Sequence, residues 1–233
     1  MRYRSICFDA GFTLIEPRRS TAATLAAVLA SEGIPPTEDM LRRAWDAADS
    51  WFLQEYHRPG NDTWISDDRI HRTWLDHHGL MLKELRVDDL DQRLANAVIA
   101  AYNRPENWRL YPDVLSALDG LKRPDRTIGV VSDWSSRLPL LLETLGVDRY
   151  FDFVLVSATA GAAKPSAEFY RMALQKTGVA PSAALMVGDS YTADILGARA
   201  AGMGAVLLDR QGHYPAADVP VIRALTELAP LVD

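Results

Sequence analysis

The chain has 233 residues, 48% of them apolar, with 25 Lys and Arg against 31 Asp and Glu for a net charge of -6. That length buries a sizeable core without disulfides or structural metals, and the mild acidity excludes the electrostatic footprint of a nucleic-acid or anionic-membrane binder. The single cysteine, Cys7, excludes an intramolecular disulfide and fits a reducing compartment. The first apolar run is too short for a signal peptide or a membrane helix, so the chain reads as soluble and cytoplasmic.

In chain order, "YRSICFD" reads as a first buried strand ending at Asp9. Residues 16–109 then look helical throughout, with no convincing strand. "STAATLAAVLASEG" stops at Gly33, a second helix runs from an N-cap at Thr37 to His57, "SDDRIHRTWLDHHG" starts at Ser66 and stops at Gly79, and "DDLDQRLANAVIAAYN" follows. His77 and His78 are read as residues of a helix C-terminus, where cationic side chains are favoured, and Trp45, Trp51, Trp64, Trp74 and Trp108 as packing residues. The remainder alternates. Strands are predicted over 127–132, 151–157, 183–190 and 205–209, each followed by a helical stretch, with "PVIRALTELAPLV" closing the chain as a helix. Apolar strands separated by helices indicate an α/β fold, a doubly wound parallel sheet covered on both faces. Its domains are predicted as a core of residues 1–15 and 110–233 and an inserted α-helical domain of residues 16–109.

Ligands of such sheets bind beyond the carboxyl ends of the strands. That edge collects Asp9, Ser132, Asp133 and Asp189, with Lys164 in the loop after the strand ending at Ser157. Asp9 and Asp189 would repel each other unless a cation sits between them, and Mg²⁺ suits oxygen ligands and keeps waters that a phosphate can replace. Lys164 offers a point charge to an anion, Ser132 a hydroxyl, and the backbone N–H groups of the Ala10–Gly11 loop and after Ser132 a phosphate cradle.

"FDAGFTL", "VVSD", "GAAKP" and "VGDSYTADILGARAAGM" resemble, in order and at strand ends, the four motifs of the haloacid dehalogenase (HAD) superfamily. The resemblance implies a Rossmann-type core with a helical cap between the first and second motifs. It implies that Asp9 is a nucleophile, that Ser132 and Lys164 hold a phosphoryl group, and that Mg²⁺ is bound by Asp9, Asp189 and the Gly11 carbonyl, with Asp194 supporting the metal through water. The expected activity is a phosphatase acting on a small phosphorylated metabolite through an aspartyl-phosphate, as a monomer or homodimer.

Gly11 departs from the pattern. Phosphatases of this family usually carry a second aspartate there, which protonates the leaving oxygen; carbon–halogen-cleaving members resemble Asp-x-Tyr and phosphonate-cleaving members Asp-x-Ala. Phe12 replaces the usual next glycine. Losing a general acid costs about 10²–10⁴ in rate. Asp133 and Glu16 are the two candidate substitutes, although the Asp133 carboxylate is expected to cap the next helix and Glu16 to be a hinge residue. Restoring an aspartate at position 11 depends on whether the glycine is needed for its backbone angles. Three alternatives stand beside the phosphatase: a phosphonate hydrolase using Lys83 as a Schiff-base lysine, a 2-haloacid dehalogenase, and a catalytically impaired protein that binds a phosphorylated ligand.

Overall fold

The computed structural model describes residues 3–56, 58 and 60–232; His57, expected as the end of the second helix, lies outside them, as do both chain termini. The chain divides into two compact units, one of Met1–Glu16, Trp64–Ser66 and Arg109–Asp233, the other of Pro17–Thr63 and Asp67–Trp108.

The strands are β1 (Ser5–Phe8), β2 (Ile15–Pro17), β3 (Trp108–Leu110), β4 (Thr127–Ser132), β5 (Phe153–Val156), β6 (Ala184–Gly188), β7 (Gly204–Leu208) and β8 (Val221–Ile222). Six of them form a parallel sheet in the order β5-β4-β1-β6-β7-β8. β1 and β6 are buried along their whole length, as an apolar strand covered on both faces must be. One face packs Cys7, Val131, Met186 and Leu207 with Phe169 and Tyr170 of helix Ala167–Thr177. Burial pushes the Cys7 thiol up to about 12, so it is an inert core residue. Among the described residues no helix is long and apolar enough to cross a membrane.

Three expectations are corrected. β2 and β3 pair as a separate two-stranded sheet where no strand was expected; three residues span too little alternation to be read from sequence. The closing segment is not one helix. Val221 and Ile222 extend the sheet beside Leu207 and Leu208, and Glu227 Oε1 then accepts from the Arg223 and Ala224 N–H groups to turn the chain. A 3₁₀ turn (Leu225–Glu227) and a short helix (Ala229–Val232) follow.

The second unit is helical: α1 (Thr21–Ser31), α2 (Glu38–Tyr56), α3 (Asp67–Glu84) and α4 (Arg93–Tyr102). Ser20 caps α1 through its Oγ, which accepts from the Ala23 N–H, and Thr37 does the same for the Met40 N–H ahead of α2. Leu25, Leu29, Ala44, Ala48, Met81 and Leu94 form its core. The third correction is here: α3 does not stop at Gly79 but runs five residues further. His77 and His78 are therefore buried mid-helix residues rather than exposed cations at a C-terminus, His77 lying edge-on to Trp45, Phe52 and Trp74. Burial pulls the pKa of His77 down to about 4, and burial plus the His77 charge pulls that of His78 down to about 3.

These shifts fix a pH dependence. The unfolded imidazoles titrate near 6.5, so below that pH the unfolded chain binds protons the folded one refuses. Their contribution to stability is complete above about pH 6.5 and is lost as the pH falls toward the folded values, at about 1.4 kcal/mol per pH unit per imidazole. Denaturant titrations across this range should show His78→Leu with the shallower decline; equal slopes in the variant and the parent would contradict the burial argument.

Candidate active site

β1 lies between β4 and β6, with Phe8 level with Val130 on one side and Val187 on the other. Asp9 follows β1, Ser132 ends β4, and Asp189 follows β6, so the three project from adjacent carboxyl ends. Lys164 comes from the loop beyond β5 and the turn of helix Ser157–Ala160.

The charges form a compact group. Lys164 Nζ donates to Asp9 Oδ1 at 2.6 Å and to Asp194 Oδ1 at 2.7 Å, and Ser132 Oγ donates to the same Asp9 oxygen at 3.0 Å. Oxygens of Asp9, Asp189 and Asp194 all lie within 4.8 Å of one another. Burial, then the charges of Asp9 and Asp194, push the Asp189 pKa up to about 7; burial and Asp9 push Asp194 up to about 6 despite Lys164. Burial works against the Lys164 ammonium, but the carboxylates of Asp194, Asp9 and Asp133 hold its pKa well above the ordinary value. One lysine does not balance three buried or half-buried carboxylates. A hard divalent cation with oxygen ligands fits the imbalance and the donor set.

Local structure explains how Asp194 arrives there. The stretch expected as one helix begins as a π-helical turn, Tyr191–Leu196, before helix Gly197–Ala200. The Asp194 and Ile195 N–H groups both reach the Ser190 carbonyl, while Asp194 Oδ2 accepts from the Ser190 N–H at 3.0 Å. A Cβ on Gly188 would collide with the Asp194 carboxylate, so only glycine lets this carboxylate fold back over the end of β6. Tyr170, buried beneath, donates its hydroxyl to the Ala193 carbonyl at 2.8 Å.

The loop after Asp9 is closed by the Leu14 and Ile15 N–H groups on the Ala10 carbonyl, and by the Phe12 N–H on the Ile15 carbonyl. Ala10 is buried. The left-handed residue of this loop is Phe12, at φ 56, not Gly11. What confines Gly11 is a side chain: a Cβ there would lie 2.8 Å from Cζ3 of Trp134. The expectation that backbone angles decide what position 11 tolerates is thereby corrected. Asp133 is corrected too. Its Oδ1 accepts from the Lys164 N–H at 3.0 Å instead of capping the next helix, its Oδ2 is buried with no hydrogen-bond partner, and burial raises its pKa to about 7. Glu16 is paired with Arg109 at 2.8 Å.

Sequence reasoning missed Arg210 and Asp113. Arg210 clamps Asp113 with both terminal nitrogens (2.9 and 3.1 Å), donates to the Thr13 carbonyl at 2.9 Å, and stacks 3.9 Å from the Tyr111 ring centre. Thr13 Oγ in turn donates to Asp189 Oδ1 at 3.1 Å, which links the clamp to the carboxylates. Burial works against the Asp113 carboxylate, yet Arg210 and the Leu225 N–H hold its pKa below the ordinary value. The signal was present: Arg210 directly follows the strand read as ending at Asp209, on the same sheet edge. Arg210→Ala strands a mostly buried carboxylate and should destabilise the protein by about 2–4 kcal/mol, with Arg210→Lys recovering part. Denaturant midpoints measure it, and a loss within experimental error would remove the clamp from the account.

Comparison with known proteins gives the chain's family. A sequence model described as haloacid dehalogenase-like hydrolase matches residues 3–202. Mouse haloacid dehalogenase-like hydrolase domain-containing protein 3 is 27% identical over 244 residues, covering 100% of this chain and 95% of that protein. Glyceraldehyde 3-phosphate phosphatase of Methanothermobacter thermautotrophicus is 34% identical over 142 residues, 58% of this chain and 61% of that one. The magnesium-bound HAD-hydrolase YfnB of Bacillus subtilis superposes with a TM-score of 0.82 at 21% identity, with 100% of both chains covered, and shares the fold. With that model matched over residues 3–202, the chain belongs to the haloacid dehalogenase-like hydrolases.

Proposed function

We propose that this hydrolase is a phosphatase that removes the phosphoryl group of a small phosphorylated metabolite, with Asp9 as nucleophile and Mg²⁺ as its ion. The observation that carries the reading is the meeting of Asp9, Asp189 and Asp194 around a single lysine, a cluster whose repulsion is relieved by a divalent cation. The phosphatase named among the relatives supports the same substrate class.

Asp9, Asp189 and the Gly11 carbonyl would hold the ion, with Asp194 behind them. When bound, it supplies positive charge that offsets the phosphoryl oxygens and screens the carboxylates from them. An Asp9 oxygen attacks phosphorus, and the bond from phosphorus to the leaving oxygen breaks with its electron pair departing on that oxygen. Lys164 stays protonated and, with the Ser132 hydroxyl and the backbone N–H groups of Ala10, Gly11 and Asp133, holds the transferring group. Water then attacks the aspartyl-phosphate, releasing inorganic phosphate and returning the Asp9 carboxylate. One water is consumed per phosphate released. The helical insertion takes the place in the chain of the family's cap.

Lys83 is exposed in the last turn of α3, whereas Schiff-base lysines sit in desolvated pockets, and an uncompensated acidic cluster is a poor site for a haloacid anion. The test is phosphate release from a panel of phosphate esters with and without Mg²⁺, beside calorimetry of Mg²⁺ binding. Asp189→Asn removes one charge from the cation site and should weaken binding by about 10- to 100-fold or more. Protons compete for the same carboxylates, so affinity should fall below about pH 7. Unchanged affinity in the variant would defeat the metal assignment, and no Mg²⁺-dependent phosphate release from any ester would defeat the phosphatase.

A further inference from the structure

We infer that Trp134 is a specificity-determining residue: its indole occupies the space that an acid at position 11 would need, and so restricts the site to phosphates whose leaving group departs as a stable anion. The inference rests on the phosphatase reading of Asp9. Its own ground is a packing fact within one unit of the protein. An ideal Cβ at Gly11 comes within 2.8 Å of Trp134 Cζ3 and 3.7 Å of Cε3 and Cη2, where carbon atoms otherwise rest about 3.5–4.0 Å apart. The near atoms belong to the six-membered ring, which moves only as a rigid body.

The main chain at Trp134 is held on both sides. Its backbone N–H donates to the buried Ser157 Oγ at 3.1 Å, and its carbonyl accepts from the Ala158 N–H at 3.3 Å. The ends of β4 and β5 thus fix the backbone that carries this aromatic side chain against the loop that follows β1. Gly11 is not left-handed, so an L side chain is excluded there by the indole and not by the backbone. An aspartate at this position would bring its Cβ against the ring, so the indole must shift to admit it.

A departing oxygen that finds no acid leaves with its electron pair and takes its proton from water afterwards. Aryl and acyl phosphates tolerate this; alkyl phosphates do not. The indole and the missing carboxylate are therefore one feature of the site, and neither is reversed alone.

The experiment compares the parent, Gly11→Asp, Trp134→Ala and the double variant, with Trp134→Val as a second truncation. Mg²⁺-dependent hydrolysis of an alkyl and an aryl phosphate is read beside thermal unfolding of each protein. Gly11→Asp alone should gain nothing on the alkyl ester, whereas in the truncated backgrounds it should raise alkyl kcat/KM about 10²-fold or more. Gly11→Asp should lower Tm by about 2–10 °C beside the indole and by much less once it is truncated. A full alkyl gain from Gly11→Asp beside an intact Trp134 overturns the inference. No gain in either truncated background overturns it as well, and so does an equal Tm loss in all backgrounds. The thermal comparison reads position 11 against the ring with no turnover required, so a parent that hydrolyses no phosphate defeats the phosphatase reading separately.

Discussion

Asp9→Asn is expected to abolish turnover of every substrate, a loss on the order of 10⁴-fold or more, while leaving the folded protein as stable as before or more so. The activity half follows from chemistry: an amide oxygen is a far weaker nucleophile than a carboxylate, and the aspartyl-phosphate cannot form. The stability half follows from the surroundings. Asp9 Oδ1 accepts from both Lys164 and Ser132, and an amide oxygen placed there can still accept both. Meanwhile one of three clustered negative charges is gone. Asp189 and Asp194 have raised pKa values, so the folded state retains protons that the unfolded chain has released, and their contribution to stability falls as the pH rises from about 4 toward about 7. Relieving them of the Asp9 charge offsets part of that loss. Steady-state rates and thermal melts of metal-free protein at neutral pH check both halves. Retained turnover would remove Asp9 from the nucleophile's role; lost activity with a collapsed fold would mean that the charge is needed structurally.

The sheet and its charged edge were legible because their signals are local. An apolar run ending in a polar residue marks a strand end, and parallel topology puts all such ends on one side, so Asp9, Ser132, Lys164 and Asp189 could be gathered before any distance was known. Asp194 came from the family pattern rather than from spacing, and the π turn that delivers it leaves no periodic mark of its own. The extent of α3 is not legible in the sequence, because Gly79 carries the mark of a helix stop and the helix runs through it. With its φ negative and open space beside it, the glycine sits mid-helix at a cost of about 1 kcal/mol, which the burial of Met81 and Leu82 beyond it offsets. Reading a stop at Gly79 moves His77 and His78 from a buried cluster to an imagined surface.

What sequence could not give is contact between residues far apart in the chain. Trp134 bears on Gly11 across more than a hundred positions, and Arg210 reaches Thr13 across 197. The sheet edge places Arg210 near the site, but nothing in "SDWSS" or "LLDRQG" names a particular partner in "DAGFT". Both contacts alter the chemistry expected of the site: one decides what position 11 can hold, the other fixes the loop that carries Asp9.

In the unmodified protein, kcat/KM is expected to fall steeply as the leaving group becomes more basic, with alkyl phosphates about 10²–10⁴-fold below aryl phosphates of similar size. A positioned acid flattens this dependence by delivering a proton as the bond breaks. Position 11 has no side chain to do so, Glu16 is paired with Arg109, and Trp134 stands against the loop. Outside the carboxylates proposed to hold the cation, one group retains the chemistry of an acid: Asp133, whose pKa is raised to about 7 by burial, and whose Oδ2 is buried with no hydrogen-bond partner. Its other oxygen, however, is committed to the Lys164 N–H, which orients the carboxylate toward the loop that carries the lysine. Asp133→Asn keeps an oxygen acceptor for that N–H and removes the acid, so it separates the two roles. If Asp133 only buttresses Lys164, the variant should keep the parent's steep slope and lose little rate on aryl esters. A flat slope in the parent that turns steep in Asp133→Asn would instead make Asp133 the acid, and the leaving oxygen would then depart protonated after all.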